Sequence, residues 1–166
     1  MTARILVAGV GNIFLGDDGF GCEVARRLAG QPQPEGVRVV DYGIRGMHLA
    51  YDLLDGYDAL VIVDALPGEG QPGDITVLEV GPEDLGTGEL DAHGMDPVAV
   101  LANLEGLGGT LPRTLIVGCQ PLDLEENIGL TPAVSAAVDV AVATVAKLLE
   151  ELLSEQAVGA GSQGES

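Results

Sequence analysis

Short, almost wholly apolar segments alternate with amphipathic segments along the first part of the chain. The apolar segments span residues 3–9, 37–42 and 59–64, and each ends in glycine, tyrosine or aspartate. Runs of this length and composition are typical of buried parallel strands. The intervening segments, at 18–29 and 47–54, carry apolar side chains at helical spacing. The pattern predicts parallel strands joined by crossover helices.

The rest of the chain adds a strand of the opposite direction and further α/β units. Residues 74–80 follow the third strand after a Pro/Gly-rich loop that is too short to hold a crossover helix, so we expect this strand to run antiparallel. The remaining pattern predicts a long Gly/acid-rich loop at 81–94, a helix from about Asp96 to Gly106, a strand at 114–119 and a helix capped by Thr131.

This element order predicts one α/β domain over residues 1–153, a three-layer α/β/α sandwich with helices on both faces of the sheet. The sheet is expected to be five-stranded and mostly parallel, with one antiparallel strand. The most apolar strand, 59–64, is predicted at its centre, and the less regular strand, 37–42, nearer an edge. The Gly/Ser/Glu-rich tail, 154–166, is predicted to be disordered.

The amino-acid composition argues against several classes of function. The 166 residues include 26 acidic and 7 basic ones, for a net charge of −19, and no basic stripe is present; nucleic acid is therefore a poor partner. Cys22 and Cys119 have no metal or redox spacing, and we interpret both as reduced, buried packing residues. No signal peptide or long uncharged apolar stretch is seen. We expect a cytoplasmic protein without a membrane partner.

The turn after the first strand carries the most specific chemistry. A dinucleotide fingerprint beginning at Gly9 would need a third glycine where Phe14 stands, and a phosphate-binding loop would need lysine after Gly16. Instead Asp17 and Asp18 open the helix, where carboxylates repel phosphate and suit a cation. One of the two carboxylates could equally cap the helix.

Further ligand-type residues are predicted at the same edge of the sheet. Asp64 ends the third strand, and His93 lies in the long loop before the next helix. Since ligands of open α/β sheets bind at the carboxyl ends of the strands, these residues are expected to converge with Asp17 and Asp18. Two carboxylates and an imidazole suit a borderline divalent cation, held weakly by loops.

At these residues the chain resembles the hydrogenase maturation endopeptidases, which trim the C-terminal extension of the large subunit of nickel-iron hydrogenases. Four of the family's patterns match in order over residues 4–150. The opening pattern is matched at Gly9, Gly11, Asn12, Asp17, Asp18 and Gly21; the strand pattern at Asp64-Ala65; the loop histidine at His93; and the late pattern at Pro121, Glu125, Gly129, Leu130, Thr131 and Pro132.

The resemblance implies a phosphorylase/hydrolase-like sandwich and a metal-contacting catalytic trio of Asp18, Asp64 and His93. Asp17, Asn12 and Asp41 are second-line candidates. It also implies that the nickel belongs to the precursor of the hydrogenase large subunit, the expected partner, and that the protease holds no tightly bound metal of its own. No conventional nucleophile motif is present, which favours metal-assisted attack of water on the peptide.

One loop departs from the family pattern, and two alternative functions remain open. After the second strand many members read Asp-Gly-Gly-Thr-x-Gly, whereas this chain has Tyr42 and Ile44 at the second and fourth positions; the departure bears on client identity. Asp41 stands where dinucleotide enzymes place a ribose-binding acid, which supports a nucleotide-binding alternative. A non-catalytic, nickel-sensing maturation chaperone would use the same trio.

Overall fold

The computed structural model describes residues 3–81, 101–102, 104 and 106–164, with side chains to 155. A short 3-10 helix, Gly16–Gly19, precedes the first α-helix. The strands and α-helices are β1 Ile5–Val10, α1 Phe20–Ala29, β2 Val37–Gly43, α2 Gly46–Leu53, β3 Ala59–Ala65, β4 Ile75–Val80, β5 Arg113–Cys119 and α3 Pro132–Gly164. The predicted start of a helix near Asp96, the loop histidine and most of the long loop lie outside the described residues.

The sheet confirms the predicted topology. Its five strands are ordered β2-β1-β3-β5-β4. Neighbours among the first four are parallel, and β4 pairs antiparallel with β5. The most apolar strand, β3, is central, and the irregular β2 is at one edge. Because β1 and β3 are adjacent but are separated in sequence by β2, the chain reverses its direction of strand addition there, which opens a crevice at their carboxyl ends.

Two apolar clusters cover the two faces of the sheet, as the sandwich prediction requires. One cluster joins α1 and α3 to the sheet through side chains such as Phe20, Leu28 and Val138. The other joins α2 and the helical residues near Leu101 to the opposite face and includes the fully buried Leu49. The alternation of strand side chains between faces distributes the apolar strands over both cores.

The C-terminal helix differs from the sequence-based expectation. α3 continues to Gly164, whereas the tail from Ser154 was predicted to be disordered. The composition argument underweighted Glu155, Gln156 and Ala157, which favour helix and extend one already nucleated by core packing. By length and composition, residues Pro132–Glu155 would be able to cross a membrane. Their inward side, however, packs in the core through Val134, Val138, Ala141, Val145, Leu149 and Leu152.

Gly21 allows α1 to lie close to the sheet at the crevice between β1 and β3. A Cβ on Gly21 would lie 2.0 Å from the Val63 carbonyl oxygen and 2.6 Å from that of Val10. Both contacts are to strand backbone, which cannot move without disturbing the sheet. The absence of a side chain at Gly21 therefore fixes α1 directly over the crevice between β1 and β3.

We predict that Gly21→Ala destabilises the fold by about 3 kcal/mol, because the added methyl group forces helix and sheet apart. For a chain of this size the melting temperature should fall by roughly 10 °C. Gly30→Ala at the end of α1 is the control, since its nearest contact would be an ordinary 3.6 Å. Equal melting temperatures for the two variants in thermal denaturation would contradict the close-approach argument.

Candidate active site

The candidate site lies at the carboxyl ends of β1 and β3, where a tight loop leads into the 3-10 helix. Gly11 has φ of +138°, and a Cβ there would lie 2.0 Å from the Asp18 carbonyl oxygen. The Gly11 N–H donates to the Gly43 carbonyl over 3.0 Å. The loop is thus pressed between the turn that carries Asp18 and the end of β2, which sets the position of that carboxylate.

Asp18 is half-buried and has an incompletely compensated charge. Its Oδ2 accepts a hydrogen bond from the Asn12 backbone N–H over 2.8 Å. Burial raises the pKa of Asp18, and the hydrogen bond from Asn12 lowers it without cancelling the effect of burial. The ionised form is therefore less favourable here than in water, and a nearby cation would stabilise it.

Asp64 lies at the end of the central strand, almost out of contact with solvent. Its side chain is buried, with 4% of the residue exposed, and its Oδ1 accepts the Ala65 N–H over 2.8 Å. The residue pairs with Gly118 of β5 in the sheet register. This position, next to β1 in the crevice, is the one predicted from the end of the apolar run.

Cys22 is a buried thiol within electrostatic reach of three carboxylates. Its thiol is 3% exposed and approaches the Gly11 carbonyl at 3.6 Å. Burial raises the pKa of the Cys22 thiol; a hydrogen bond with Asp41 and the negative charges of Asp41, Asp64 and Asp18 raise it further. The prediction of a buried, unpaired cysteine is confirmed. Its position among the carboxylates was not predicted, because no motif in the sequence marks it.

Asp17 has a different role from its neighbour. It is 0% exposed, and its carboxylate accepts the backbone N–H groups of Leu122, Asp123 and Thr131 over 2.9, 3.0 and 2.7 Å. It also accepts the Thr131 hydroxyl, at 2.8 Å from Oδ2. Burial raises the pKa of Asp17, but these donors together lower it below its ordinary value.

The expectation that one of these aspartates caps the helix is wrong. Neither the 3-10 helix nor α1 has a side-chain cap hydrogen bond, and the residues at the two cap positions are Leu15 and Gly19. The Asp17 carboxylate instead reaches the loop before α3, more than 100 residues along the chain. A helix-capping side chain accepts hydrogen bonds from backbone N–H groups in the first turn of its own helix. The donors to Asp17 lie on a loop that is distant in the sequence, so only the fold identifies them.

Two of the second-line candidates, Asn12 and Asp41, have side chains that accept backbone hydrogen bonds. Asn12 shapes the turn, because its Oδ1 accepts the Phe14 N–H over 2.9 Å while its own N–H holds Asp18. The Asp41 side chain accepts the Gly43 N–H over 3.0 Å. His93 lies outside the described residues. Among the residues that the structure does describe, no three ligand-type side chains are arranged to hold a metal ion, so a metal site here requires a further donor.

A cavity of about 280 Å³ adjoins Asp41. Its lining also includes Cys22 and the exposed apolar residues Ile13, Phe14 and Ile44. Arg45 also lines it and donates to the Asp41 carbonyl over 2.8 Å. The loop that departs from the family pattern therefore forms one wall of the cavity beside the candidate site.

Comparison with known proteins identifies the family. A model of the hydrogenase maturation protease family matches residues 22–148. The hydrogenase 2 maturation protease of Escherichia coli is 36% identical over 152 residues, which cover 89% of this chain and 92% of that protein. The chain belongs to the hydrogenase maturation protease family.

Solved structures of hydrogenase maturation proteases have the same fold as this chain. The hydrogenase maturating endopeptidase HybD from E. coli superposes with a TM-score of 0.77 at 34% identity, covering 89% of this chain and 93% of that one. The maturation protease HycI from Thermococcus kodakarensis gives a TM-score of 0.66 at 26% identity, covering 92% and 94%. The protein is thus an endopeptidase with the expected α/β fold, and the resemblance seen in the sequence is confirmed.

We predict different effects on stability for the same substitution at the two adjacent aspartates of the maturation protease. Asp17→Asn places an amide N–H₂ group against backbone donors and should cost about 3 kcal/mol. Asp18→Asn removes a charge that burial disfavours and still offers an oxygen to Asn12, so its melting temperature should match or exceed that of the wild type. Thermal denaturation at neutral pH measures both, and an equal loss in the two variants would contradict the assignment.

The pH dependence gives a further check on Asp17. Its pKa is lower in the folded than in the unfolded protein, so ionised Asp17 stabilises the fold above the unfolded value of about 3.9. That stabilisation is lost as the pH falls through the folded-state pKa. The difference in melting temperature between wild type and Asp17→Asn should therefore shrink below about pH 4.

Proposed function

We propose that this endopeptidase removes the C-terminal extension from the nickel-loaded large-subunit precursor of a nickel-iron hydrogenase, in the cytoplasm. The observation that carries the proposal is that Asp18, in the turn after β1, and Asp64, at the end of β3, lie at the carboxyl ends of two adjacent strands in a chain of the maturation protease family. These two carboxylates occupy the positions at which the family pattern has its metal-contacting acids.

The donor chemistry fits a metal ion that arrives with the substrate. Asp18 is half-buried with a raised pKa, and Asp64 is buried at the end of β3. Carboxylate oxygens, with an imidazole from His93, suit a borderline divalent ion such as nickel. We propose that the precursor supplies this ion and that the protease recognises it, which requires no tightly bound metal in the free enzyme.

The reaction is hydrolysis of the peptide bond that joins the extension to the mature subunit. Bound nickel would polarise the scissile carbonyl or the attacking water. A water oxygen bonds to the carbonyl carbon, a carboxylate of the site takes the proton from that water, and the proton passes to the departing amine as the carbon–nitrogen bond breaks. The roles of the side chains are to orient the precursor, to contact its metal and to move this proton.

We predict that Asp18→Asn, Asp64→Asn and His93→Ala each abolish cleavage, with at least a 100-fold loss of rate, while the protein stays folded. The measurement is the mass of the large-subunit precursor, purified with and without nickel, after incubation with each variant. Circular dichroism controls for folding. Glu150→Gln on the exposed side of α3 is the matched carboxylate control.

Four results would count against the proposal in different ways. Cleavage of nickel-free precursor at the full rate would remove the metal from the mechanism. Full activity in one of the three variants would remove that residue from the site, and full activity in two would exclude the trio. No cleavage of nickel-loaded precursor by the wild-type enzyme would contradict the proposed client.

We also predict that Cys22→Ser and Cys119→Ser retain cleavage. Burial, followed by the charges of Asp17 and Asp74, raises the pKa of the Cys119 thiol to about 11, and burial raises that of Cys22 still more. Both thiols are therefore protonated at neutral pH and are poor nucleophiles. Rates within about threefold of wild type are expected, since serine is only slightly smaller than cysteine and keeps a hydrogen-bond donor. Loss of cleavage in a folded variant would establish a thiol mechanism.

A further inference from the structure

Two neighbouring loops expose large apolar side chains beside the candidate carboxylates. On the loop after β1, Ile13 and Phe14 are 49% and 60% exposed. On the loop before α3, Leu122 and Ile128 are 62% and 72% exposed. We refer to these four residues as the apolar platform. Exposed apolar residues grouped next to a functional site are typical of a protein interaction surface.

Hydrogen bonds hold the two loops together as one rigid unit. The Asn127 N–H donates to the Phe14 carbonyl over 2.9 Å, and the Gly16 N–H donates to the Asn127 carbonyl over 2.8 Å. The Asp17 N–H donates to the Asp123 carbonyl over 2.9 Å, and the buried Asp17 carboxylate accepts donors from the same loop. The platform is thus preorganised, which lowers the entropic cost of binding a partner.

Charge around the platform indicates the chemistry of its occupant. Glu125 and Glu126 are exposed on the loop before α3, and neither residues 12–18 nor residues 121–131 contain lysine or arginine. The charged side chains of these two loops are therefore all acidic, while Arg45 lines the cavity that Ile13 and Phe14 also line. On the side of Glu125 and Glu126 the platform complements a segment that presents apolar side chains with lysine or arginine beside them.

We propose that the apolar platform binds the large-subunit precursor through a segment next to the scissile bond that carries apolar and basic side chains. This inference rests on the proposed function. Phe14 is two residues from Asn12, whose N–H holds Asp18, and Leu122 is bound to Asp17. A segment seated on the platform would therefore lie close to the turn that carries Asp18.

The test compares binding and cleavage for platform and control variants. Phe14→Ser and Ile128→Ser should each raise the KM for nickel-loaded precursor about tenfold, as expected for central interface residues, with kcat within about twofold. Val140→Ser is the control, because Val140 is 54% exposed on α3, away from the site. Glu125→Lys should raise KM and weaken the salt dependence of binding, whereas Glu150→Lys should change neither.

A direct binding measurement with immobilised precursor separates this proposal from the proposed function. If the wild type binds but does not cleave, the proposed function fails while the loss of affinity in Phe14→Ser still supports the platform. If the wild type cleaves and the platform variants keep their KM and affinity, the platform proposal is wrong and the function stands. A change in self-association instead of precursor binding, measured by sedimentation, would also overturn the proposal.

Discussion

The buried carboxylate of Asp17 is the interaction on which the architecture of the site depends. Two of its partners, Leu122 and Thr131, lie at the two ends of the loop that leads from β5 into α3. A charge can be buried at this depth only when donors replace its hydration. Here backbone N–H groups and a hydroxyl do so, and the same bonds fix the position of a loop that has no helix or strand of its own.

The adjacent aspartates divide structural and chemical roles through their surroundings. Donors hold the pKa of Asp17 low, so its charge stabilises the fold and is not available to a ligand. Burial holds the pKa of Asp18 high, so its charge is incompletely compensated by the protein. Of these two neighbouring aspartates, Asp17 therefore holds the loop before α3 in place, and Asp18 is a candidate metal ligand. Their surroundings, and not their residue type, determine these different roles.

The fold was predictable from sequence because its signals are local. Apolar runs gave the parallel strands, and the short loop before β4 implied its reversed direction, since a crossover helix would not fit. The role of Asp17 was not predictable, because its partners are more than 100 residues away and helix capping offered a nearer explanation. The extension of α3 beyond Ser154 was missed for a related reason: composition suggested disorder, while packing had already nucleated the helix.

The burial of Asp18 connects the electrostatics of the free enzyme with the proposed dependence on a metal-loaded client. Burial disfavours the ionised form of Asp18, and the hydrogen bond from Asn12 does not offset this effect. A divalent ion carried by the precursor would stabilise the ionised form, so the enzyme would bind a loaded precursor more tightly than an empty one. On the proposed function, discrimination against unloaded precursor then requires no separate sensor, because the electrostatics of the site itself supply the difference in affinity.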